Sequence, residues 1–400
     1  MIQRRDFLIA AGLGIGVSGL PGLAFANADT NARLVLVILR GAVDGLALAA
    51  PYGDGNYRKV RGELALPSPG KKNGALKLDG MFGLHPSLPG LYRDFSNNEA
   101  LVVHAVASPY RERSHFDGQD VLENGGAKTG AARDGWLNRA IAPLGGSLGN
   151  ETAIAMAQNT PLILRGSNSV TSWVPSRLPD AADSTIARLR DLYSEDEFFA
   201  TRLAQALKAQ DIAAGIGGMD GEPRRGNDAE FLRTMMESTA RFLTAPDGPR
   251  IAVLEAGGWD THANQGAASG ALANRLSGLD NAVSALRSGL GETWDNTVVA
   301  IVTEFGRTVR VNGTRGTDHG TATAAILTGG SVNGGKVIAD WPGLASKNLY
   351  QDRDLQPTAD IRSVFKGVLG DHFSLSDALL ERAIFPDSGA APKMRDLIRS

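Results

Sequence analysis

The residues able to do chemistry are densest in the stretch 297–320, TVVAIVTEFGRTVRVNGTRGTDHG. It opens with an apolar run at 298–302, rich in β-branched residues and bounded by polar ones. Such a run predicts a strand buried on both faces. The run leads into Glu304 and Arg307, a carboxylate and a guanidinium at the carboxyl end of a central strand. Open α/β sheets place their ligands at that end. A glycine-rich loop follows, then Asp318-His319-Gly320. Glu304, Arg307, Asp318 and His319 can therefore converge on one site. The simpler reading is an ion pair between Glu304 and Arg307 with a turn closed by Asp318. Adjacent Asp and His after a glycine loop is also a common ligand arrangement for metals.

Three earlier stretches repeat the pattern of an apolar run followed by polar, glycine-bearing loop. The run 33–39 leads into RGAVDGL, where Asp44 lies between glycines that let the backbone approach closely. Asp44 is there either a ligand or the cap of the following helix or turn. The run 101–106 contains His104, read as a core histidine bonded to a backbone group, and leads into SPYRERSHFD. Arg111, Arg113, Ser114 and His115 offer an oxyanion site. Ser114 with Asp117 three residues on also has the form of a capping box. The two readings are compatible, because a helix N-terminus is itself an anion site. The run 250–255 leads into GGWDTHANQG. Asp260 and His262, two apart in an extended loop, point the same way and form a metal half-site or a turn with an Asx cap.

Oxygen and imidazole donors without thiolates suit zinc, manganese, magnesium or calcium, as one or two ions. Two ions with a serine between them would hold the attacking and leaving oxygens of a displacement.

These loops must be positioned by strands alternating with helices. Helical spacing is read at 117–123, 186–207, 229–243, 272–290 and 361–369, with further strands at 152–156, 324–328 and 336–338. The alternation predicts a mostly parallel sheet with helices on both faces, a three-layer α/β/α domain. Residues 51–90, rich in Gly and Pro, read as an ordered loop region. The block 160–226 reads as an inserted cap over the site. No linker divides residues 27–400, which are taken as one domain.

The 400-residue chain has a formal charge of −2 and no cysteine. Near-neutral charge argues against nucleic acid as a partner. Absence of cysteine excludes disulfides, thiolate metal sites and a cysteine nucleophile. Arg4 and Arg5 precede a mild apolar stretch broken by glycines, and Ala24-Phe25-Ala26 offers a cleavage signal. Residues 1–26 read as a twin-arginine signal peptide. The expected destination is periplasmic or secreted, with the twin-arginine translocase as a partner during export. The apolar stretch is too short and glycine-rich to be a stable membrane anchor.

The export signal, RGAVDGL, SHFDGQD, GGWDTH and TEFGRT…GTDHG, in this order, resemble domain-of-unknown-function family 1501, grouped with the alkaline phosphatase and sulfatase superfamily. The resemblance covers nearly the whole mature chain and implies an alkaline-phosphatase-like fold. It implies Asp44 as a bridge to a second metal and Ser114 at the nucleophile position. It implies Asp260 and His262 at the first metal, and Glu304 where an Asp-His pair usually stands. His319 would match the last histidine ligand. With His115 and Asp318 as neighbouring ligands, the implied activity is hydrolysis of a phosphate or sulfate ester of a small molecule or polymer. Metal-activated Ser114, or a metal hydroxide, would attack, and Arg113 or Arg307 would stabilise the developing charge. The formylglycine sequence of sulfatases is absent, since Ser108-Pro109-Tyr110-Arg111 lacks its spacer. The alternative is a non-catalytic exported binding or structural protein that keeps the fold and a partial metal site.

Overall fold

The computed structural model describes residues 31–144, 152–175, 183–213 and 228–399. The signal stretch 1–26 and the loop 215–226 lie outside the described residues. The chain builds its main sheet from β1 (Arg33–Leu39), β2 (Ala100–Ala107), β3 (Ala153–Met156), β4 (Thr171–Ser172), β5 (Ile251–Ala256), β6 (Thr297–Val302), β7 (Thr323–Thr328), β8 (Lys336–Ile338) and β9 (Ala359–Asp360). The order across the sheet is β8-β2-β7-β6-β1-β5-β3-β4, with β9 also on β2. Only β7 runs against its neighbours; β1 is parallel to β5 and β6, and the remaining pairs are parallel too.

The principal helices are α1 (His115–Asn124), α2 (Trp136–Ile141), α3 (Asp183–Tyr193), α4 (Glu197–Ala213), α5 (Asp228–Thr244), α6 (Ala271–Leu290) and α7 (Ile361–His372). Strand β1 shows how the layers arise. Its side chains alternate by face, as a pleated strand requires. Leu34, Leu36 and Ile38 pack with Trp136 of α2 and Phe365 of α7. Val35, Val37 and Leu39 pack with Met236 of α5 and Leu276 and Leu286 of α6. Both faces are apolar because both are covered, hence the unbroken run RLVLVIL. Helix α5 earns its place by spacing: Leu232, Met235, Met236, Thr239 and Leu243 are buried, one stripe of a 3.6-residue period. The result is the expected three-layer α/β/α arrangement with a mostly parallel sheet.

Register decides where the chemistry lies. Ile38 of β1 pairs with Glu255 of β5 and with Val302 of β6. The loops carrying Asp44, Asp260 and Glu304 therefore leave the same edge of the sheet side by side.

Two expectations differ from the structure. Residues 51–90 are more than loop: they include a helical turn at Tyr57–Arg61 and two strands of a small sheet formed by Ala49–Ala50, Leu76–Lys77 and Gly83–Leu84. Two-residue strands are too short to register as alternation. Within the block 160–226, expected as a cap, β4 and α4 take other positions. Strand β4 joins the main sheet on β3. Thr201, Gln205 and Lys208 of α4 line a cavity with Thr152, Ala153 and Pro249, at the amino ends of β3 and β5. That is the opposite edge from Asp260. Among the described residues no helix is long and apolar enough to cross a membrane.

His104 is fully buried in β2, stacked on Phe82 and edge-on to Trp341. Its Nε2 donates to the Ala49 carbonyl at 2.9 Å and its Nδ1 accepts from Ala105 N at 2.7 Å. A second proton would meet the Ala105 N–H head-on. Burial lowers the pKa of His104 to about 4, and does the same for His372, whose Nε2 bonds Arg33 O at 3.0 Å. The unfolded chain takes these protons near pH 6.5, while the native core refuses them until about pH 4. Stability is therefore full above about 6.5, falls as pH drops through that window, and levels off below it, by up to roughly 3 kcal/mol per histidine. His104→Gln keeps a donor and an acceptor without the titration. Its melting temperature is expected to fall less between pH 7 and pH 4 than that of the natural protein. Parallel pH profiles would show this account of His104 to be wrong.

Candidate metal centre

Beyond the carboxyl ends of β5, β1 and β6, three histidines meet one aspartate. His115, Asp260 and His319 form a group able to hold a metal ion, with one ligand atom from each lying within 4.8 Å of the others. His262 joins them: its Nε2 is 2.9 Å from Asp260 Oδ1 and 3.0 Å from His319 Nε2. His319 Nε2 is 3.2 Å from the same oxygen.

The other ring nitrogens settle the tautomers. His115 Nδ1 donates to Glu304 Oε1 at 2.7 Å, His262 Nδ1 to Asp318 Oδ1 at 3.1 Å, and His319 Nδ1 to the Arg113 carbonyl at 2.9 Å. Every Nδ1 faces an acceptor, so every neutral imidazole carries its proton there and turns the Nε2 lone pair inward. Two imidazole lone pairs and a carboxylate oxygen then crowd together with no proton to bind them. His115 Nε2 is buried without a hydrogen-bond partner, 3.5 Å from Asp260 Oδ2 and too far for a bond. A divalent cation fits this donor set. Ligand histidines almost always give their other N–H to a carboxylate or carbonyl.

The electrostatics agree. Burial would raise the Asp260 carboxyl, but the hydrogen bond and charge of Arg307, aided by His262 and His319, hold it below the usual range. Asp318 is held low chiefly by the hydrogen bond from Asn312, with His262 adding to it. Burial works against Glu304 as well, yet bonds from His115, Gly41 and Thr303 keep it low. The bond to Glu304 raises His115 against its burial, whereas burial lowers His319.

Backbone approach explains the glycines. Gly41 has φ 118°, and a Cβ there would sit 2.6 Å from Asp260 N. Its own N–H reaches Glu304 Oε1 at 2.9 Å. A side chain at Gly316 would run into the His262 carbonyl. Phe305 stacks under His115 at 5.0 Å between ring centres, and Gly118 leaves room for that ring.

The remaining expected residues separate into distinct positions. Arg307 is fully buried, its guanidinium bound to Asp260 and to both the hydroxyl and carbonyl of Thr317. It holds Asp260, and its side chain is buried away from any substrate charge. Arg113 turns away: its Nε bonds the buried Asp354 at 2.8 Å and its Nη2 bonds Gln351 at 2.6 Å. Only its carbonyl, presented from a left-handed backbone at φ 63°, serves the site. Glu304 and Asp318 stand behind His115 and His262. Asp44, expected to bridge to a second ion, has both oxygens engaged: it pairs with buried Arg61, accepts from Gln265 Nε2 at 2.6 Å, and caps Leu46 N at 3.1 Å. The charge paired with Asp44 is the Arg61 guanidinium. Ser114 occupies the N-cap position of α1 with extended backbone, but its side chain makes no capping hydrogen bond.

Sequence reasoning passed over Gln265. Its Oε1 accepts from Thr261 at 2.8 Å and Thr317 at 2.7 Å while its amide holds Asp44. Gln119, which bonds Glu304 at 3.2 Å, was available as a polar residue one helical turn after His115.

A family model described as "Protein of unknown function (DUF1501)" matches residues 98–384. No curated protein matches the chain. Among solved structures it is similar to the crystal structure of a phosphonate monoester hydrolase of Agrobacterium radiobacter, at 12% identity and a TM-score of 0.35, over 86% of this chain and 74% of that one. A likeness that distant does not bear on the chemistry of the site.

Glu304 and Asp44 separate ligand support from structural support. Glu304→Ala strands His115 Nδ1 and is expected to weaken metal binding about 10–100-fold, read by competition with a chromophoric chelator. Asp44→Ala leaves Arg61 buried and unpaired. It is expected to cost about 3–5 kcal/mol of stability without changing metal bound per folded molecule. Loss of metal from the Asp44 variant with stability intact would reverse the two assignments.

Proposed function

We propose that this chain, which belongs to the DUF1501 family, is an exported metal-dependent hydrolase of the alkaline phosphatase and sulfatase type, acting on a phosphate or sulfate ester. The observation that carries the reading is the convergence of three Nδ1-tethered imidazoles on Asp260. His115, His262, His319 and Asp260 would hold one ion. Their nitrogen-rich set favours zinc or manganese over magnesium or calcium. Bound there, the ion would supply Lewis-acid polarisation of the ester and a lowered pKa for the nucleophile. The Arg61–Asp44 pair supports one ion rather than two.

The chain's own residues supply the rest. Ser114 immediately precedes the ligand His115 and is the candidate nucleophile. Because Ser114 does not cap α1, the first-turn amides stay open to an ester oxygen, where the helix dipole favours negative charge. Arg307 fixes the orientation of Asp260, and the Arg113 carbonyl fixes the tautomer of His319. The second reading, a non-catalytic exported binding protein with a partial metal site, draws on one observation: neither Arg113 nor Arg307 is free for substrate charge.

Elemental analysis of protein exported by its native route should give one transition-metal ion per chain. His262→Ala and His319→Ala should each lose metal and melt lower, since an ion bound only to the native state adds stability by mass action. Ser114→Ala should keep both metal and melting temperature and lose hydrolysis on a phosphomonoester, phosphodiester and sulfate ester panel. Unchanged metal in both histidine variants would end this reading. Metal without any hydrolysis would leave the binding protein.

The twin-arginine signal makes its own prediction. Replacing Arg4 and Arg5 together by Lys should leave precursor in the cytoplasm. Normal periplasmic accumulation of that variant would remove the export assignment.

A further inference from the structure

One residue before Asp260, the chain borders a second concavity. A cleft of about 660 Å³ opens between α5 and α6 beyond the carboxyl end of β5, within the size range of small-molecule sites. Its inner wall is apolar, from Met156, Leu232, Met235, Leu254 and Leu279. The loop Gly257-Gly258-Trp259 forms the side towards the metal centre. An added Cβ at Gly257 would meet nothing within 4 Å, so this backbone is open to a ligand.

Two of the polar side chains lining the cleft, Trp259 and Arg275, are donors only. Arg275 lies against Gly258, where an added Cβ would come 2.7 Å from its Nε. Its single hydrogen bond among the described residues is Nη1 to Ala271 O at 3.3 Å, and it makes no ion pair there. Arg275 Nε and Trp259 Nε1 are both buried without a partner. Glu255 also lines the cleft, and its Oε1 is paired with Arg40. An unpaired guanidinium beside an apolar wall selects an apolar body bearing a negative charge.

We propose that this cleft binds the non-reacting part of the ester: a hydrocarbon group that carries its own anionic end, received by Arg275. The identity of the ligand as an ester rests on the hydrolase reading; the cleft's preference for an apolar anion does not. Calorimetric titration of the mature protein with decanoate, and with decanol as its uncharged match, tests the preference. The titration is run on metal-loaded and on chelator-treated protein.

Decanoate should bind one per chain in both preparations, and more tightly than decanol. Arg275→Gln should weaken decanoate about tenfold, the scale of one charged hydrogen bond, and leave decanol unchanged. Arg275→Lys should restore most of the loss. Phe231→Ala, at the partly exposed rim, should weaken both ligands. Arg233→Gln removes the same charge from the outer face of α5, where Arg233 pairs with Glu230 and Glu237, and should change nothing. No decanoate binding in either preparation, or equal losses in the Arg275 and Arg233 variants, would overturn the proposal. A protein that hydrolyses no ester but binds decanoate through Arg275 would overturn the hydrolase reading and leave the cleft standing.

Discussion

Three imidazoles can be aimed at one point only if something else takes the second nitrogen of each. Here the takers differ in kind: a buried carboxylate for His115, a half-exposed one for His262 and a backbone carbonyl for His319. Much of the surrounding structure can be traced to supplying them. Glu304 can be buried because Gly41, Gln119 and Thr303 also donate to it. Arg113 adopts a left-handed backbone, a strained state for a non-glycine residue, and its carbonyl meets His319. Its side chain is anchored elsewhere by Asp354.

Behind this centre lies a chain of polar contacts with little access to water. Arg61 holds Asp44, Asp44 accepts from Gln265, Gln265 accepts from Thr317, and Thr317 receives Arg307, which holds Asp260. Such a network is stabilising only when every member is satisfied. It links the loop after β1 to the loops after β5 and β6 without any of these residues needing to touch substrate.

Much of this was legible in the sequence, and for a physical reason. A strand covered on both faces must be apolar throughout, so β1, β2, β5 and β6 announce themselves, and polar residues just after them fall at one edge. That logic found Asp260, His262, Glu304, Asp318, His319 and His115. It could not rank them. Whether a carboxylate faces the histidine cluster or stands behind a histidine depends on side-chain direction, which spacing does not encode. It could not see Arg61 as the partner of Asp44, because that pair is made by a helical turn in a glycine-rich region without periodicity. Nor could it find the Arg113 carbonyl, a group every residue carries. The place of the expected cap was not legible either, because helical spacing tells which residues are apolar, not which end of the sheet they cover.

The position of β1 has a consequence for how the molecule comes into being. It is the first described strand, yet it pairs with Ile251 on one side and Val298 on the other through Leu34. Both partners lie more than 200 residues downstream. During synthesis β1 therefore emerges with two open edges and an apolar sequence, and neither edge can close until most of the chain has been made. Contacts of this range make folding slow and leave intermediates prone to association. The candidate site shares this dependence, since His115 must wait for Asp260 and His319. No fragment ending before the sixth strand can contain a complete site, so His115, Asp260 and His319 come together only after β6 has been made.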